Sequence, residues 1–244
     1  MLLSGGETGS GGSEATVLSS SVVIDMTEGR TISATPLPIA MAQGASMTLT
    51  TGEPVFCGGG PARGETLYVD KASGFVHACF TYDMCHRTWT ALQFNYTLGV
   101  RSNAVELSGG RYWILGGEGS DRKSLIFDGE AAFTPGPDLP TWFNDGCVLK
   151  LNNDETFLVQ KAAFIYNHRT ENWTNLNIPT SNDWGGTSCG LSLDRNGALE
   201  YAVLAGGWHA LSKVYLFNIR TREWSRGASL PSSLYVASAV PFER

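Results

Sequence analysis

One cadence recurs along the whole chain and constrains what it can become. In its last copy, Ala202-Val-Leu-Ala-Gly206-Gly207 is an apolar run closed by two glycines. A short loop and Val214-Tyr-Leu-Phe-Asn218 follow, and Trp224 stands six residues beyond the asparagine. Val23-Ile24-Asp25 to Ile32, Tyr82-Asp83 to Trp89, Phe127-Asp128 to Phe133 and Ile165-Tyr166-Asn167 to Trp173 repeat it. The Asp/Asn column at 25, 83, 128, 167 and 218 has a mean period of about 48 residues, a spacing at which solenoids, propellers and arrays repeat. A unit that short cannot bury its apolar face alone, so neighbouring copies must stack.

Within each period the pattern predicts four short strands, A to D from inner to outer. In the second unit residues 46–50 turn through Thr51-Gly52 into Val55-Phe56-Cys57, a hairpin closed by Gly58-Gly59. The third unit runs through 103–107, a Ser108-Gly109-Gly110 turn, 112–115, Gly116-Gly117 and 124–127. The fourth uses 147–151, Asn152-Asn153-Asp154 and 156–159, but Gln160-Lys161 stands where the glycine pair belongs, which leaves the bend there open. The fifth uses 190–193, an Asp194-Arg-Asn-Gly197 turn and 199–205. The first unit opens on strand B, with Gly5-Gly6 behind it and a Gly/Ser-rich loop running to about Ala15. Residues 235–242 are patterned like a strand A and would complete that unit, removing two open sheet edges.

This pattern resembles the kelch repeat over nearly the whole chain, most of all in secreted kelch-like proteins of invertebrates. The resemblance implies an all-β fold, a kelch-type β-propeller of five four-stranded blades. Residues 1–244 would form one domain, with the first blade closed by the C-terminal strand, a familiar device in kelch propellers.

Composition narrows the function classes. A 42% hydrophobic content with 29 glycines and only 16% charged residues fits a strand-rich globular chain. The net charge of -6, without a Lys/Arg cluster, argues against nucleic acid. No apolar run approaches the roughly 20 residues of a membrane helix, so membrane insertion is not expected. Residues 1–6 are too short and polar for a signal peptide. Because 2–6 already read as strand and glycine pair, the natural start is expected to lie upstream.

Five cysteines leave one over. Cys57 and Cys79 fall opposite each other on predicted antiparallel strands, and Cys147 and Cys189 hold equivalent places in two inner strands. Both pairings are geometrically allowed, and a cysteine serves equally as a small buried hydrophobe. Asn95-Tyr-Thr and Asn172-Trp-Thr are glycosylation sequons. Cysteines and sequons together favour an extracellular protein, with a cytoplasmic one as the alternative.

Catalytic and cofactor sites are not expected. The glycine pairs lack the helix and the Lys-Ser/Thr of a phosphate loop. His77, His86, His168 and His209 fall on a strand, two turns and a loop, so they do not converge as copper or zinc ligands must. What stands out is aromatic. In an A-B-C-D meander the B-to-C and D-to-A loops share one rim, which would gather Trp142, Phe143, Trp184, Trp208, His209 and Tyr235, with Arg101 close by. Arg101, Asp145 and Asp183 would face the mouth of a central channel. Aromatics held on loops by a rigid scaffold suit a binding surface, although the same rings would also serve to pack the loops. The expectation is a monomeric, non-catalytic module for a protein or carbohydrate ligand. The alternatives are a propeller oxidase or hydrolase with its site at the channel mouth, and a cytosolic substrate-recognition domain.

Overall fold

The computed structural model describes residues 1–8, 16–64, 67–93, 96, 98–120, 122–179, 185–207 and 212–233. The chain divides into two compact units, Met1–Trp142 and Phe143–Arg244. Among the described residues there is no α-helix, only a 3-10 turn at Ser108–Gly110. No helix among them is long and apolar enough to cross a membrane.

The first unit holds three meander sheets. Strands β1 (Leu2–Ser4), β4 (Ser21–Asp25) and β5 (Arg30–Ala34) form a three-stranded sheet, with a two-stranded ribbon of β2 (Glu7–Thr8) and β3 (Thr16–Val17) between β1 and β4. The second sheet has the order β7 (Ala45–Thr48), β8 (Pro54–Cys57), β10 (Ala78–Asp83), β11 (Thr88–Gln93). A second ribbon pairs β6 (Met41–Ala42) with β9 (Gly60–Pro61). The third sheet runs β12 (Asn103–Glu106), β13 (Tyr112–Leu115), β14 (Ser124–Phe127), β15 (Phe133–Pro135).

The second unit holds two four-stranded sheets of the same order. One is β16 (Cys147–Lys150), β17 (Glu155–Val159), β18 (Ala163–Asn167), β19 (Asn172–Asn175). The other is β20 (Ser188–Leu193), β21 (Leu199–Ala205), β22 (Val214–Asn218), β23 (Trp224–Arg226). Every pairing among the described strands is antiparallel, and apart from the inserted ribbon strands each sheet follows chain order, which gives an all-β architecture of repeated meander sheets.

The repeated residues build repeated local structure. One oxygen of each Asp/Asn in the column accepts two or three backbone amides of the following turn: Thr27 and Glu28 at Asp25, Cys85 and His86 at Asp83, and Glu130, Ala131 and Ala132 at Asp128. Asn167 receives Arg169 and Thr170, and Asn218 receives Arg220 and Thr221. These are Asx turns, and they fix the hairpins that join the two outer strands. The register then sets an aromatic pair across each hairpin: Tyr82 opposite Trp89, Phe127 opposite Phe133, Tyr166 opposite Trp173 and Phe217 opposite Trp224. In the first sheet Ile32 opposes Val23, and the pair is aliphatic.

The glycine pairs are equally uniform. The first glycine lies at φ 69, 64, 63 and 71° in Gly5, Gly58, Gly116 and Gly206, and the second at 97, 97, 96 and 102° in Gly6, Gly59, Gly117 and Gly207. Both values belong to the left-handed side that glycine alone adopts without strain. At Gly59 a Cβ would also stand 2.5 Å from the Ala42 carbonyl oxygen. Gln160 makes the bend without glycines: its amide donates to the Ala162 carbonyl (3.1 Å), and its buried side chain exchanges two hydrogen bonds with Asn144, at 3.1 and 2.7 Å.

The core lies between sheets. In the first unit Met47, Val55, Ile114, Leu125 and Phe127 form one cluster, with β7 beside β12, and Leu37, Ile39, Val76 and Phe80 form another. In the second unit Phe157, Val159, Ile165, Leu204 and Phe217 fill the space between the two sheets. Trp89 Nε1 donates to the Thr35 carbonyl (2.7 Å) and Trp224 Nε1 to the Leu176 carbonyl (3.0 Å), so each indole also ties its sheet to the segment leaving the preceding one.

Both cysteine pairings form. Cys57 and Cys79 bridge β8 and β10 with Cα atoms 4.0 Å apart, and Cys147 and Cys189 bridge β16 and β20 at 6.0 Å. Cys85 is exposed and unbridged. Two such bonds fit an oxidising environment.

Candidate functional site

The segments leading into the inner strands carry an unusual backbone. Two residues ahead of β7, β12, β16 and β20 stand Gln43, Arg101, Asp145 and Gly186, at φ 60, 62, 55 and 64°. Three of the four are not glycine, and holding each there costs on the order of 1 kcal/mol or more. A small residue follows every one: Gly44, Ser102, Gly146 and Thr187. A Cβ on Gly44 would lie 2.6 Å from the Cys57 carbonyl oxygen, and one on Gly146 the same distance from the Phe143 ring. The left-handed residues are bonded in sequence within each unit. The Arg101 amide donates to the Gln43 carbonyl at 2.6 Å, and the Gly186 amide to the Asp145 carbonyl at 2.6 Å.

In the first unit this backbone presents a chain of polar side chains. Gln43 Nε2 donates to Glu7 Oε1 (3.2 Å), and Arg101 Nε donates to Gln43 Oε1 (3.3 Å). Arg101 Nη1 reaches Glu118 Oε1 at 3.2 Å, with side-chain exposures of 34% for Arg101 and 40% for Glu118. A partly exposed guanidinium therefore sits between the Gln43 amide oxygen and the Glu118 carboxylate, with donors left over for carbonyl, hydroxyl or carboxylate oxygens. Such an arrangement suits recognition of polar groups.

The aromatic candidates separate. Trp142, on the connection from β15 toward β16, is 50% exposed. Its neighbour Phe143 is 3% exposed, so that ring packs the loop down. Burial at that point follows from the tight approach of Gly146 to the ring. Trp184, Trp208, His209 and Tyr235 lie outside the described residues, as does Asp183.

The described histidines stay apart. His86 Nδ1 lies 2.6 Å from Asp83 Oδ2 in the β10–β11 turn, and the hydrogen bond to that carboxylate raises its pKa above the ordinary value. His168 Nε2 lies 2.8 Å from Thr156 Oγ1, and His77 precedes β10. Among the described residues no three His, Cys, Asp or Glu side chains group as metal ligands would.

No protein-family model matches the chain, and no curated protein does. Solved structures do match in shape. One, described as "Structure of YjhT", is 13% identical, with a TM-score of 0.69 over 96% of this chain and 86% of that one. At that identity the likeness is one of fold.

Proposed function

We propose that the chain is a kelch-type propeller of five four-stranded blades that binds a protein or carbohydrate partner outside the cell, without catalysis. The observation that carries this reading is that Trp142 and Arg101, both of side-chain types enriched at interface hot spots, stand 50% and 34% exposed on segments leading into inner strands. Arg101 is held by Gln43 and Glu118, so little rotamer entropy is left to lose on binding. The matching Asx turns and glycine pairs of the sheets support the kelch assignment, and the two disulfides support secretion. The closing strand expected at residues 235–242 lies outside the described residues.

The test is a binding screen of the purified protein against a glycan panel and an extracellular-protein library, followed by variants. Trp142→Ala and Arg101→Ala are each expected to weaken the ligand found by at least about 30-fold, the scale of interface hot spots. The melting temperature should stay unchanged. Normal binding by both variants, or loss only in step with unfolding, overturns the reading.

A further inference from the structure

The outer ends of the five sheets are β5, β11, β15, β19 and β23. An outer strand presents a row of backbone N–H and C=O groups that templates pairing with another chain, and proteins blunt such rows with charge or proline. Arg30 opens β5, Pro135 ends β15 and Arg226 ends β23. The other two have no such guard: β11 reads Thr-Trp-Thr-Ala-Leu-Gln and β19 reads Asn-Trp-Thr-Asn. The chain has two sequons, one within β19 and the other close after β11 in the sequence. Asn172-Trp173-Thr174 lies within β19, and Asn95-Tyr96-Thr97 begins two residues after β11 ends.

We propose that Asn172 carries an N-linked oligosaccharide that shields the outer row of β19. Asn172 is the first residue of the strand and follows Glu171, whose left-handed φ of 56° ends the turn. Strand alternation puts Asn172 and Thr174 on one side and Trp173 on the other. Asn172 and Thr174 are exposed, whereas Trp173 packs on Tyr166 with ring centroids 4.7 Å apart. A substituent on Asn172 therefore extends into solvent and leaves the ring pair in place.

The amide also suits the reaction. Asn172 Nδ2 donates one hydrogen to the Thr170 carbonyl at 2.9 Å. Transfer from a lipid-pyrophosphate-linked oligosaccharide forms the Nδ2–C1 bond and breaks the bond from C1 to the pyrophosphate oxygen. The pyrophosphate leaves with the electron pair and one amide proton is released. The second amide hydrogen remains for the bond to Thr170. The two disulfides place the chain in the kind of compartment where such donors are used.

Peptide mapping of the chain secreted by a eukaryotic host tests this. The peptide containing Asn172 is expected to carry a glycan that peptide-N-glycosidase removes, leaving aspartate. Thr174→Ala should abolish the modification and Thr174→Ser should keep it. Asn172→Gln should melt as the parent does yet associate at lower concentration in light scattering. An unmodified Asn172 in secreted protein with both disulfides formed overturns the proposal. A glycan whose loss leaves association unchanged overturns its shielding role. Neither result bears on ligand binding at Trp142 and Arg101.

Discussion

Asp128 does through one oxygen what would otherwise need three partners: it accepts the amides of Glu130, Ala131 and Ala132. Partial burial alone would raise its pKa, but the amides favour the charged form and hold it below the ordinary carboxylate value. A group depressed in the folded state contributes stability above its unfolded pKa and loses it as pH falls through the folded one. Acid titration of stability should therefore lose part of its slope below pH ~4 in Asp128→Asn, which keeps an acceptor without the charge. Asp128→Ala should cost about 1 kcal/mol at neutral pH, as lost caps do, measured by urea unfolding. The column of Asp and Asn was legible as spacing, but its role was not, because an Asx acceptor is recognised only once the turn amides converge on it.

A paired glycine test separates conformation from space. Gly52 and Gly59 have similar φ, 93 and 97°, but nothing lies within 4 Å of a Cβ on Gly52, whereas one on Gly59 would overlap the Ala42 carbonyl. Gly52→Ala should cost only the left-handed penalty of about 1–2 kcal/mol, and Gly59→Ala clearly more. Equal losses would show that the close approach relaxes freely.

Among elements, the outer hairpins were readable from the apolar cadence, and both cysteine pairs as options from the predicted strand positions. The ribbons β2–β3 and β6–β9 were not, since each is only two residues long and follows no hydrophobic alternation. Gln160 shows a related limit: its partner Asn144 is 16 residues away, and no local rule couples them. Trp224 offers an element-scale prediction, because it packs on Phe217 and Phe157 at 5.0 and 6.2 Å and donates to Leu176. Trp224→Ala should destabilise by roughly 3–5 kcal/mol in chemical denaturation. Trp224→Phe should recover most of that loss, leaving about 1 kcal/mol for the missing hydrogen bond. A Phe variant as unstable as Ala would make the hydrogen bond, and not the packing, the dominant contribution.

At the scale of the molecule, the sequence announced repeated all-β meanders but concealed the polar chain of Glu7, Gln43, Arg101 and Glu118. Those residues are scattered over three repeats and meet only when sheets stack. Of the four, Arg101 alone was singled out, for its expected place beside the rim and the channel mouth. Deleting residues 235–244 tests the proposed closure at this scale: the melting temperature should fall steeply and aggregation appear, and an unchanged cooperative melt would overturn the proposal of a closing strand.

The two disulfides differ in what must exist before they can form, and that sets an order of assembly. Cys57 and Cys79 face each other across two adjacent strands of one sheet, 22 residues apart in sequence, so their thiols meet as soon as that sheet pairs. Cys147 and Cys189 belong to the inner strands of different sheets, 42 residues apart, and meet only after those sheets have docked. Oxidative refolding should thus trap the first bridge early and the second late. Cys85, six residues past Cys79 and exposed, is the competitor that can capture Cys57 in the interval. A Cys85→Ser chain should accordingly reach the two-bridge state with fewer misbridged intermediates, its productive yield limited by docking of the later pair.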